Sequence, residues 1–293
     1  VLVAPAMHTE MWQHAATQHN VEVLRRRGVH FVGPESGRLT GDDAGPGRMS
    51  EPRDIFESAL DLLTPNDLTG CRILVTAGGT REPIDPVRYL GKRSSGKQGA
   101  EVAAEAVARG AEVTLIAANV EEALLSGLRH CVRIVGVGSA AQLEEAVRAE
   151  ASKANVIVMA AAVSDYRVAE VAHGKMRKED RDEDPVLRLV QNPDILRGLV
   201  EDRHDGQLIV GFAAETVESE AELLERGHRK LARKGCDMLA VNAVSWTAGF
   251  ESERNELLVL AAGGQVLSTT NGTKRETARA LIDAVVVART EHR

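Results

Sequence analysis

The chain has 293 residues, of which 43% are hydrophobic and 27% charged, a composition typical of a folded globular protein with one large or two modest domains. Its formal net charge of −7 argues against nonspecific binding to nucleic acid or to an anionic membrane, because both need clustered basic residues. The sequence has no apolar run that approaches the roughly 20 residues of a membrane-spanning helix, and it shows no secretory pattern.

The three cysteines, Cys71, Cys131 and Cys236, lie far apart and have no metal-binding spacing. Two of them touch predicted strands. We therefore expect all three to be reduced, small core residues of a cytoplasmic protein, since free cysteine is among the most buried residue types.

The first 64 residues predict part of an α/β domain. The chain starts inside a strand-like run rather than at a methionine, so we expect it to be a piece of a longer polypeptide. The predicted elements are a strand at 1–4, a helix at 9–27 with Thr9 as its N-cap and Gly28 as its stop, a strand at 29–32, a glycine-rich loop at 36–49, and a helix at 51–63.

A strand, a loop and a helix over residues 73–99 contain the most distinctive residues of the chain. The apolar run 73–75 predicts a buried strand, and Gly78 and Gly79 follow it, where backbone amides can approach a ligand without a Cβ in the way. After a polar, proline-punctuated loop, the string SSG at 94–96 leads into a helix predicted at 99–109. Hydroxyls and glycines at a helix N-terminus are typical of an anion site, so we predict that this unit binds phosphate.

Two general nucleotide-binding motifs fit this stretch only in part. Residues 91–97 match G-x-x-x-x-G-K, but Gln98 stands where a P-loop needs Ser or Thr for magnesium. The dinucleotide motif G-x-G-x-x-G is absent, because Gly78 and Gly79 have the wrong spacing. A glycine-rich turn that binds no ligand is the structural alternative.

Strand and helix patterns alternate through the rest of the chain and predict an α/β fold: a doubly wound, Rossmann-like, mostly parallel sheet with helices on both faces. Ligands of such sheets bind outside the carboxyl ends of the strands. We expect the segment 167–185, which is dense in both charges, to be the least ordered. Further strands are predicted at 113–117, 133–137, 156–161, 208–211 and 238–241, helices at 139–151, 194–201, 218–234 and 276–288, and a hairpin at 256–260 and 265–268.

The string TAGGTREPIDPVRYL, followed by SSGKQG, resembles the opening of the phosphopantothenate–cysteine ligase family of coenzyme A biosynthesis. In bacteria this ligase is commonly fused behind phosphopantothenoylcysteine decarboxylase, and PAMHTEMW and GPGRM are similar to the last part of that flavin-dependent enzyme. The resemblance implies a decarboxylase remnant at 1–64, a linker at 65–71 and a ligase domain at 72–293. His8 stands where the decarboxylase family has Asn, and Thr40 where its loop usually has an active-site Cys. We therefore expect no decarboxylation, and FMN only in a complete decarboxylase domain.

The resemblance also implies the reaction. Without using ATP, the family joins 4′-phosphopantothenate to L-cysteine with CTP through an acyl-cytidylate, and it releases pyrophosphate and CMP. Mg²⁺ is implied by the triphosphate chemistry, with its protein ligands unknown. The family expectation is a cytoplasmic homodimer, formed through the ligase domain.

The site residues implied by the resemblance fall into three sets. Lys175, in a K-x-K-K-like motif whose third position is Arg177, is the expected catalytic lysine. Lys92 is the second expected catalytic residue, and it stands where the family has an Asn linked to conversion of the acyl-cytidylate. The expected nucleotide-binding residues are Met159, Ala160, Ala161, Asp165, Lys175, Pro193, Asp194, Ile195, Leu196, Phe212, Lys230 and Lys234, and the expected phosphate loops contain Gly78, Gly79, Thr80, Arg88, Ser94, Ser95 and Gly96.

Several alternatives stay open at this point. By composition alone the lysines belong to solvated charge runs, and a Phe at a strand end, such as Phe212, belongs to the core. A non-catalytic or half-reaction-only nucleotide-binding module is the main functional alternative, because an ammonium at Lys92 only donates hydrogen bonds whereas an amide also accepts them. A nicotinamide-dependent oxidoreductase and a flavoprotein decarboxylase are the other two.

Overall fold

The computed structural model describes residues 1–39, 44–176, 185–217, 219–243 and 254–291. The chain divides into two structural units, Val1–Pro65 and Asn66–Arg293. In the first unit, β1 pairs with β2 in parallel and β3 pairs with β4 in antiparallel orientation. Its elements are β1 (Leu2–Val3), α1 (Thr9–Gln13), α2 (Ala15–Arg26), β2 (His30–Phe31), β3 (Glu35–Arg38), β4 (Ala44–Arg48) and α3 (Pro52–Leu63).

Two predictions for the first unit were wrong. The single helix predicted at 9–27 is broken at His14, whose extended backbone (ψ 135°) ends α1 and whose side chain accepts a hydrogen bond from the Ala16 amide. Thr9 is therefore the first helical residue rather than the N-cap, which is His8. The predicted glycine-rich loop forms the β3–β4 hairpin, while Thr40 lies in the stretch 40–43, outside the described residues.

The second unit contains the main sheet. Its strands are β5 (Arg72–Gly78), β6 (Arg81–Pro83), β7 (Tyr89–Gly91), β8 (Glu112–Ala118), β9 (Val132–Val137), β10 (Val156–Met159), β11 (Tyr166–Val168), β12 (Leu189–Gln191), β13 (Leu208–Glu215), β14 (Met238–Ala243), β15 (Arg254–Ala261) and β16 (Val266–Thr273). Its helices are α4 (Lys97–Ala108), α5 (Glu122–Leu125), α6 (Ala140–Ala151), α7 (Ile195–Glu201), α8 (Glu220–Lys234) and α9 (Lys274–Glu291).

Eight strands form one sheet in the order β16-β15-β14-β13-β10-β5-β8-β9. The pairs from β14 through to β9 are parallel, and β15 and β16 add an antiparallel edge. The chain runs outward from β5 through β8 to β9, then returns to β10 on the other side of β5. This order confirms the predicted doubly wound α/β fold and places its switch point between β5 and β10.

Alternating side chains of the strands build a core on each face of the sheet. In β5, Ile73 packs in the cluster that includes residues of α4 and α9, whereas Leu74 packs in the cluster with α6, α7 and α8. Strand side chains point to opposite faces in turn, so an uninterrupted apolar run is what a strand covered on both faces requires. Because helices cover both faces of the sheet, the polar loops lie at its two ends.

Other differences from the prediction concern short elements and one cysteine. The polar loop predicted after Thr80 contains the β6–β7 hairpin, and the segment predicted at 167–185 to be least ordered begins inside β11, with 177–184 outside the described residues. Cys71 and Cys236 are buried as predicted, but Cys131 is exposed, because it lies in the turn before the edge strand β9. Among the described helices, none is long and apolar enough to cross a membrane.

Candidate functional site

The first part of the site is a close approach of backbones at the end of β5. Gly78 has a φ of +86°, and a Cβ there would lie 2.0 Å from the carbonyl oxygen of Ala118. A Cβ on Gly79 would lie 2.7 Å from the carbonyl oxygen of Lys92. Since the obstructing atoms belong to the backbone and cannot move aside cheaply, both positions require glycine.

The start of α4 lies against the same loop. Gly96 is the N-cap residue with a φ of +83°, and a Cβ there would lie 2.7 Å from Val120 Cγ2 and 3.3 Å from the Gly78 nitrogen. The half-buried Ser95 accepts a hydrogen bond from the Lys97 amide through its Oγ, at 3.4 Å. The two glycine loops predicted to bind phosphate are therefore adjacent, beside the positive end of the dipole of α4.

Two threonine hydroxyls connect the carboxyl end of β5 to the segment after β10 by hydrogen bonds. The Ala161 amide donates to Thr76 Oγ1 at 3.0 Å, and the Ser164 amide donates to Thr80 Oγ1 at 2.9 Å. Both threonines are fully buried. Met159, at the end of β10, is buried, with its sulfur 3.9 Å from Thr76 Oγ1. These contacts fix the main chain around the half-buried Ala160 and Ala161 at the switch point.

Lys92 and Asp165, both predicted site residues, form an ion pair at this point. Lys92 Nζ lies 2.8 Å from Asp165 Oδ2, and both side chains are exposed. Exposed pairs of this kind add little to stability, typically less than about 1 kcal/mol. The pair is therefore free to exchange for contacts with a charged ligand.

Lys175 is exposed and lies in a segment that contacts the tip of the β6–β7 hairpin. The Ala172 amide donates to the carbonyl oxygen of Ile84, and Arg88 Nη1 donates to the carbonyl oxygen of Met176 at 3.0 Å. The guanidinium of Arg88, which was predicted to bind phosphate, is thus engaged by the protein. Arg177 and Lys178, the rest of the lysine motif, lie outside the described residues.

The predicted helix start at Pro193–Leu196 is confirmed as the beginning of α7, where Asp194 is the N-cap. Its carboxylate accepts a hydrogen bond from the Arg197 amide and another from Lys234 Nζ, at 2.5 Å. Burial raises the pKa of Asp194, but the bonds from Lys234 and from the Arg197 amide outweigh it, so the pKa is lowered. Asp194 and Lys234 are therefore brought together as a charged pair.

Ile195, Leu196 and Phe212 are held mainly by packing. Ile195 and Leu196 are buried, and Leu196 covers Gly211, where a Cβ would lie 2.8 Å from its Cδ2. Phe212 is partly buried against the core cluster of α4 and α9, one residue beyond the pairing of β13 with the end of β10. Pro193 is exposed. Because the side chains of Ile195 and Leu196 are buried, these two residues could contact a ligand only through their backbone.

A cationic cavity of about 380 Å³ lies at the end of β13, beside α8. Lys230 Nζ donates to Glu215 Oε1 at 2.8 Å, and Arg226 lies 3.6 Å from the other oxygen of this carboxylate. Arg229 and Arg233 complete the lining. Arg226 also pairs with Glu222 at 2.6 Å, and Arg229 with Glu225 at 3.8 Å, so four cations face three carboxylates and a small excess of positive charge remains. An anionic group of a ligand can exchange for one of these carboxylates, because exposed ion pairs are weak.

Apart from Lys175 and Arg88, which lie at the β6–β7 hairpin, the predicted residues form two groups at the carboxyl ends of neighbouring parallel strands. One group surrounds the ends of β5 and β10, and the other surrounds the ends of β13 and α8. Neighbouring strands are spaced about 4.8 Å apart, so the ends of β5 and β13, with β10 between them, are roughly 10 Å apart. Two ligands bound at these groups would lie side by side.

Sequence reasoning missed two residues, Asn119 and Glu82, whose side chains bind the backbone of the loops around the site. Asn119, with a φ of 52°, donates from its side-chain amide to the carbonyl oxygens of Gly79 and Gly138. Buried Glu82 accepts a hydrogen bond from the Ala140 amide at 2.9 Å. The signal for Asn119 was its place directly after an apolar run, since Asn tolerates a left-handed backbone. Glu82 gave no such signal.

Within the described ranges, no three His, Cys, Asp or Glu side chains are grouped as metal ligands. The described side chains therefore provide no cluster of ligands for Mg²⁺.

Comparison with known proteins places this architecture. A family model described as the DNA/pantothenate metabolism flavoprotein C-terminal domain matches residues 68–288, and a flavoprotein model matches residues 1–64. The chain is 49% identical over 297 residues to the coenzyme A biosynthesis bifunctional protein CoaBC of Mycolicibacterium smegmatis, covering 97% of this chain and 70% of that protein. The CoaBC of Escherichia coli is 43% identical over 260 residues, which cover 88% of this chain and 62% of that protein.

Solved structures agree in fold. The crystal structure of the C-terminal domain of a CoaBC gives a TM-score of 0.61 at 34% identity and covers 77% of this chain and 99% of that one. A Cab2 variant in complex with phosphopantothenate-cysteine gives 0.60 at 19% identity, covering 83% and 95% of the two chains, and this likeness concerns the fold alone. The chain therefore belongs to the CoaBC family, with a ligase domain preceded by a short flavoprotein segment.

Proposed function

We propose that the chain joins 4′-phosphopantothenate to L-cysteine with CTP. It carries the ligase domain of a coenzyme A biosynthesis protein, and the Cab2 structure that shares its fold was solved with phosphopantothenate-cysteine. The observation that carries the proposal is the pair of anion-binding features at neighbouring strand ends of this domain. One is the Gly78–Gly96 loop at α4, and the other is the cationic cavity at α8.

The reaction takes place in two displacements. First, a carboxylate oxygen of phosphopantothenate attacks the α-phosphorus of CTP, and the bond to the bridging oxygen breaks to release pyrophosphate. The amine nitrogen of cysteine then attacks the acyl carbon, loses a proton, and displaces CMP. Both steps need two anionic substrates held together, so charge neutralisation and positioning by the protein are the main requirements.

The neighbouring strand ends suggest where each substrate binds. The phosphate of phosphopantothenate suits the glycines and the positive end of α4, with the buried Thr80 and the half-buried Ser94 and Ser95 supporting the loop. The triphosphate suits the cavity that contains Lys230, with Lys175 neutralising charge that develops during attack. Asp165 and the Lys234–Asp194 pair would bind the rest of the nucleotide, together with Phe212 and the main chain at 159–161 and 193–196.

The Lys92–Asp165 ion pair favours one alternative function. An ammonium held by Asp165 does not offer the acceptor that an amide would offer, and this departure affects the second displacement. A chain that activates phosphopantothenate but transfers it slowly to cysteine is therefore the second candidate. A homodimer and a cytoplasmic location stay predictions from the family resemblance.

The test combines the full chain with Mg²⁺, phosphopantothenate and cysteine, and compares CTP with ATP. We expect release of pyrophosphate and CMP with CTP and formation of the amide product. Lys175→Ala should abolish pyrophosphate release, whereas Lys153→Ala, at an exposed lysine beside Glu150, should not change it. Equal turnover with ATP, or no nucleotide turnover by the unsubstituted chain, would contradict the proposal.

A further inference from the structure

A buried carboxylate organises the tip of the β6–β7 hairpin. Asp85 is 3% exposed, and its Oδ1 accepts the amides of Val87 and Arg88, each at 2.7 Å. Its Oδ2 accepts from Arg88 Nη1 at 2.6 Å. The hairpin behind this tip is supported by the guanidinium of Arg81, which lies 4.9 Å from the ring centre of Tyr89. Asp85 Oδ1 therefore binds the backbone of the turn, while Oδ2 binds the side chain of Arg88.

Asp85 Oδ2 and Arg88 together bind the backbone N–H and C=O of one residue in another segment. The Met176 amide donates to Asp85 Oδ2 at 3.2 Å, and the Met176 carbonyl accepts from Arg88 Nη1 at 3.0 Å. Four residues earlier, the Ala172 amide donates to the carbonyl oxygen of Ile84. Hence the hairpin tip binds the segment on both sides of Lys175 by its backbone.

These bonds keep Asp85 ionised. Burial raises its pKa, but the amides of Val87, Met176 and Arg88 and the guanidinium of Arg88 lower it more, to about 2. The amide that belongs to a distant segment is thus one of the groups on which the charge depends. A buried charge that is satisfied in part by another segment fixes that segment firmly.

We propose that Asp85 and Arg88 are positioning residues that clamp the backbone of Met176 and thereby hold Lys175 toward the phosphates of the nucleotide. This inference rests on the proposed function for the role of Lys175, but the contacts themselves do not. We call the two side chains with the Met176 backbone the Asp85–Arg88 clamp.

Asp85→Asn tests the clamp with little change in shape. The retained oxygen can still accept the amides of Val87 and Arg88, whereas an NH₂ group in place of Oδ2 would face two donors. Trypsin cuts after Lys175, so the clamped peptide bond is its direct target. We expect cleavage there to accelerate roughly ten-fold, as for loss of a hydrogen bond to a charged group. Cleavage after exposed Lys153 should not change.

The second readout is the rate of CTP-dependent pyrophosphate release. We expect the kcat of Asp85→Asn to fall on the order of ten-fold while KM for CTP changes less, since a displaced Lys175 acts mainly on the transition state. Glu170→Gln is the matched control, because it removes one exposed carboxylate from the same segment outside the clamp. Both its kcat and its cleavage rate should equal those of the unsubstituted chain.

The two readouts separate the possible failures. Unchanged cleavage after Lys175 in a folded Asp85→Asn variant overturns the clamp. Faster cleavage with unchanged kcat overturns its positioning role, and absence of pyrophosphate release by the unsubstituted chain overturns the proposed function instead. If circular dichroism shows that Asp85→Asn does not fold, Arg88→Lys replaces it. The lysine side chain is shorter than that of Arg88, so we expect a smaller acceleration of cleavage after Lys175 and a smaller fall in kcat. If neither quantity changes, the clamp is overturned.

Discussion

Under the proposed function, we expect Lys92 to limit the second displacement. In a single turnover we expect the unsubstituted chain to release pyrophosphate faster than CMP, because the ammonium is held by Asp165 and offers no acceptor. Lys92→Asn should accelerate CMP release roughly ten-fold, the equivalent of one hydrogen bond to a charged group. Pyrophosphate release should change less, within about two-fold, since Lys175 and Lys230, which are proposed to bind the triphosphate, are not altered.

The control for this change is Lys153→Asn, at a lysine that pairs with Glu150. It should change neither release step. Equal rates of pyrophosphate and CMP release by the unsubstituted chain would show that Lys92 does not slow the second displacement. That result would also exclude the half-reaction alternative.

Gly78, at the end of β5, is a second residue on which the structure of the candidate site depends. Gly78→Ala would place a Cβ against the carbonyl oxygen of Ala118 at a positive φ, so we expect a loss of at least about 2 kcal/mol in the free energy of unfolding. Gly127→Ala is the control, because no atom lies within 4 Å of its added Cβ. Urea unfolding measures both, and an equal loss for the two variants would refute the argument.

Residue types alone identified part of this site and could not identify the rest. Gly78 and Gly96 stood out because positive φ and close backbone approach both demand glycine. Asp85 did not, since its role depends on the Met176 amide, 91 positions away in the chain. The cation cavity was missed for the same reason: Lys230 was recognised, but its neighbours Arg226 and Glu215 meet only in the folded protein.

At the scale of elements, Arg109 joins three parts of the second unit. It lies at the end of α4, is 3% exposed, and binds Asp67 at 2.6 Å and Asp283 of α9 at 2.5 Å. We expect Arg109→Met to lower the free energy of unfolding by about 1–3 kcal/mol, less than for a fully buried pair because both carboxylates retain some contact with water. Arg129→Met, at an exposed arginine paired with Glu122, should leave it unchanged.

The Arg109 contact also predicts a pH dependence. The hydrogen bond from Arg109 lowers the pKa of Asp67 below its ordinary 3.8, against the effect of burial. A carboxylate with a lowered folded-state pKa stabilises the protein above its ordinary pKa, and this stabilisation is lost as the pH falls through the lowered value. Urea titrations below pH 3.8 should therefore show a shallower fall in stability for Arg109→Met than for the unsubstituted chain. Parallel curves would contradict this.

Elements with strong periodicity were predictable, and short ones were not. The run at 73–75 became β5 because its side chains are covered on both faces, and α6 begins after Ser139, whose side chain forms a capping box with Gln142. The β6–β7 and β11–β12 pairs were missed, since strands of three residues give too little alternation to be recognised. Asp165 directly precedes β11, and the segment of Lys175 contacts the tip of the β6–β7 hairpin, so these short pairs position two of the proposed site residues.

At the scale of the whole molecule, the alternation of strands and helices predicted the class of fold but not the order of the strands. Right-handed crossovers alone permit several orders for the same alternation. The placement of β10 on the far side of β5 is what creates the switch point. The strand order thus determines the location of the candidate site, because it places the polar residues after β5 and β10 next to each other.

The second unit contains nearly all the buried hydrophobic side chains of the described residues. Both hydrophobic clusters consist of residues from Leu68 onward, whereas Val21 is the one described hydrophobic side chain of Val1–Pro65 that is buried. We therefore expect a chain that starts at Asn66 to fold, with a main melting transition shifted by less than about 4 °C. Because every proposed site residue lies in this unit, the shortened chain should bind CTP with the affinity of the full chain. Calorimetry and CTP titration test this, and a larger fall in Tm or a loss of binding would show that residues 1–65 contribute to the fold or to the site.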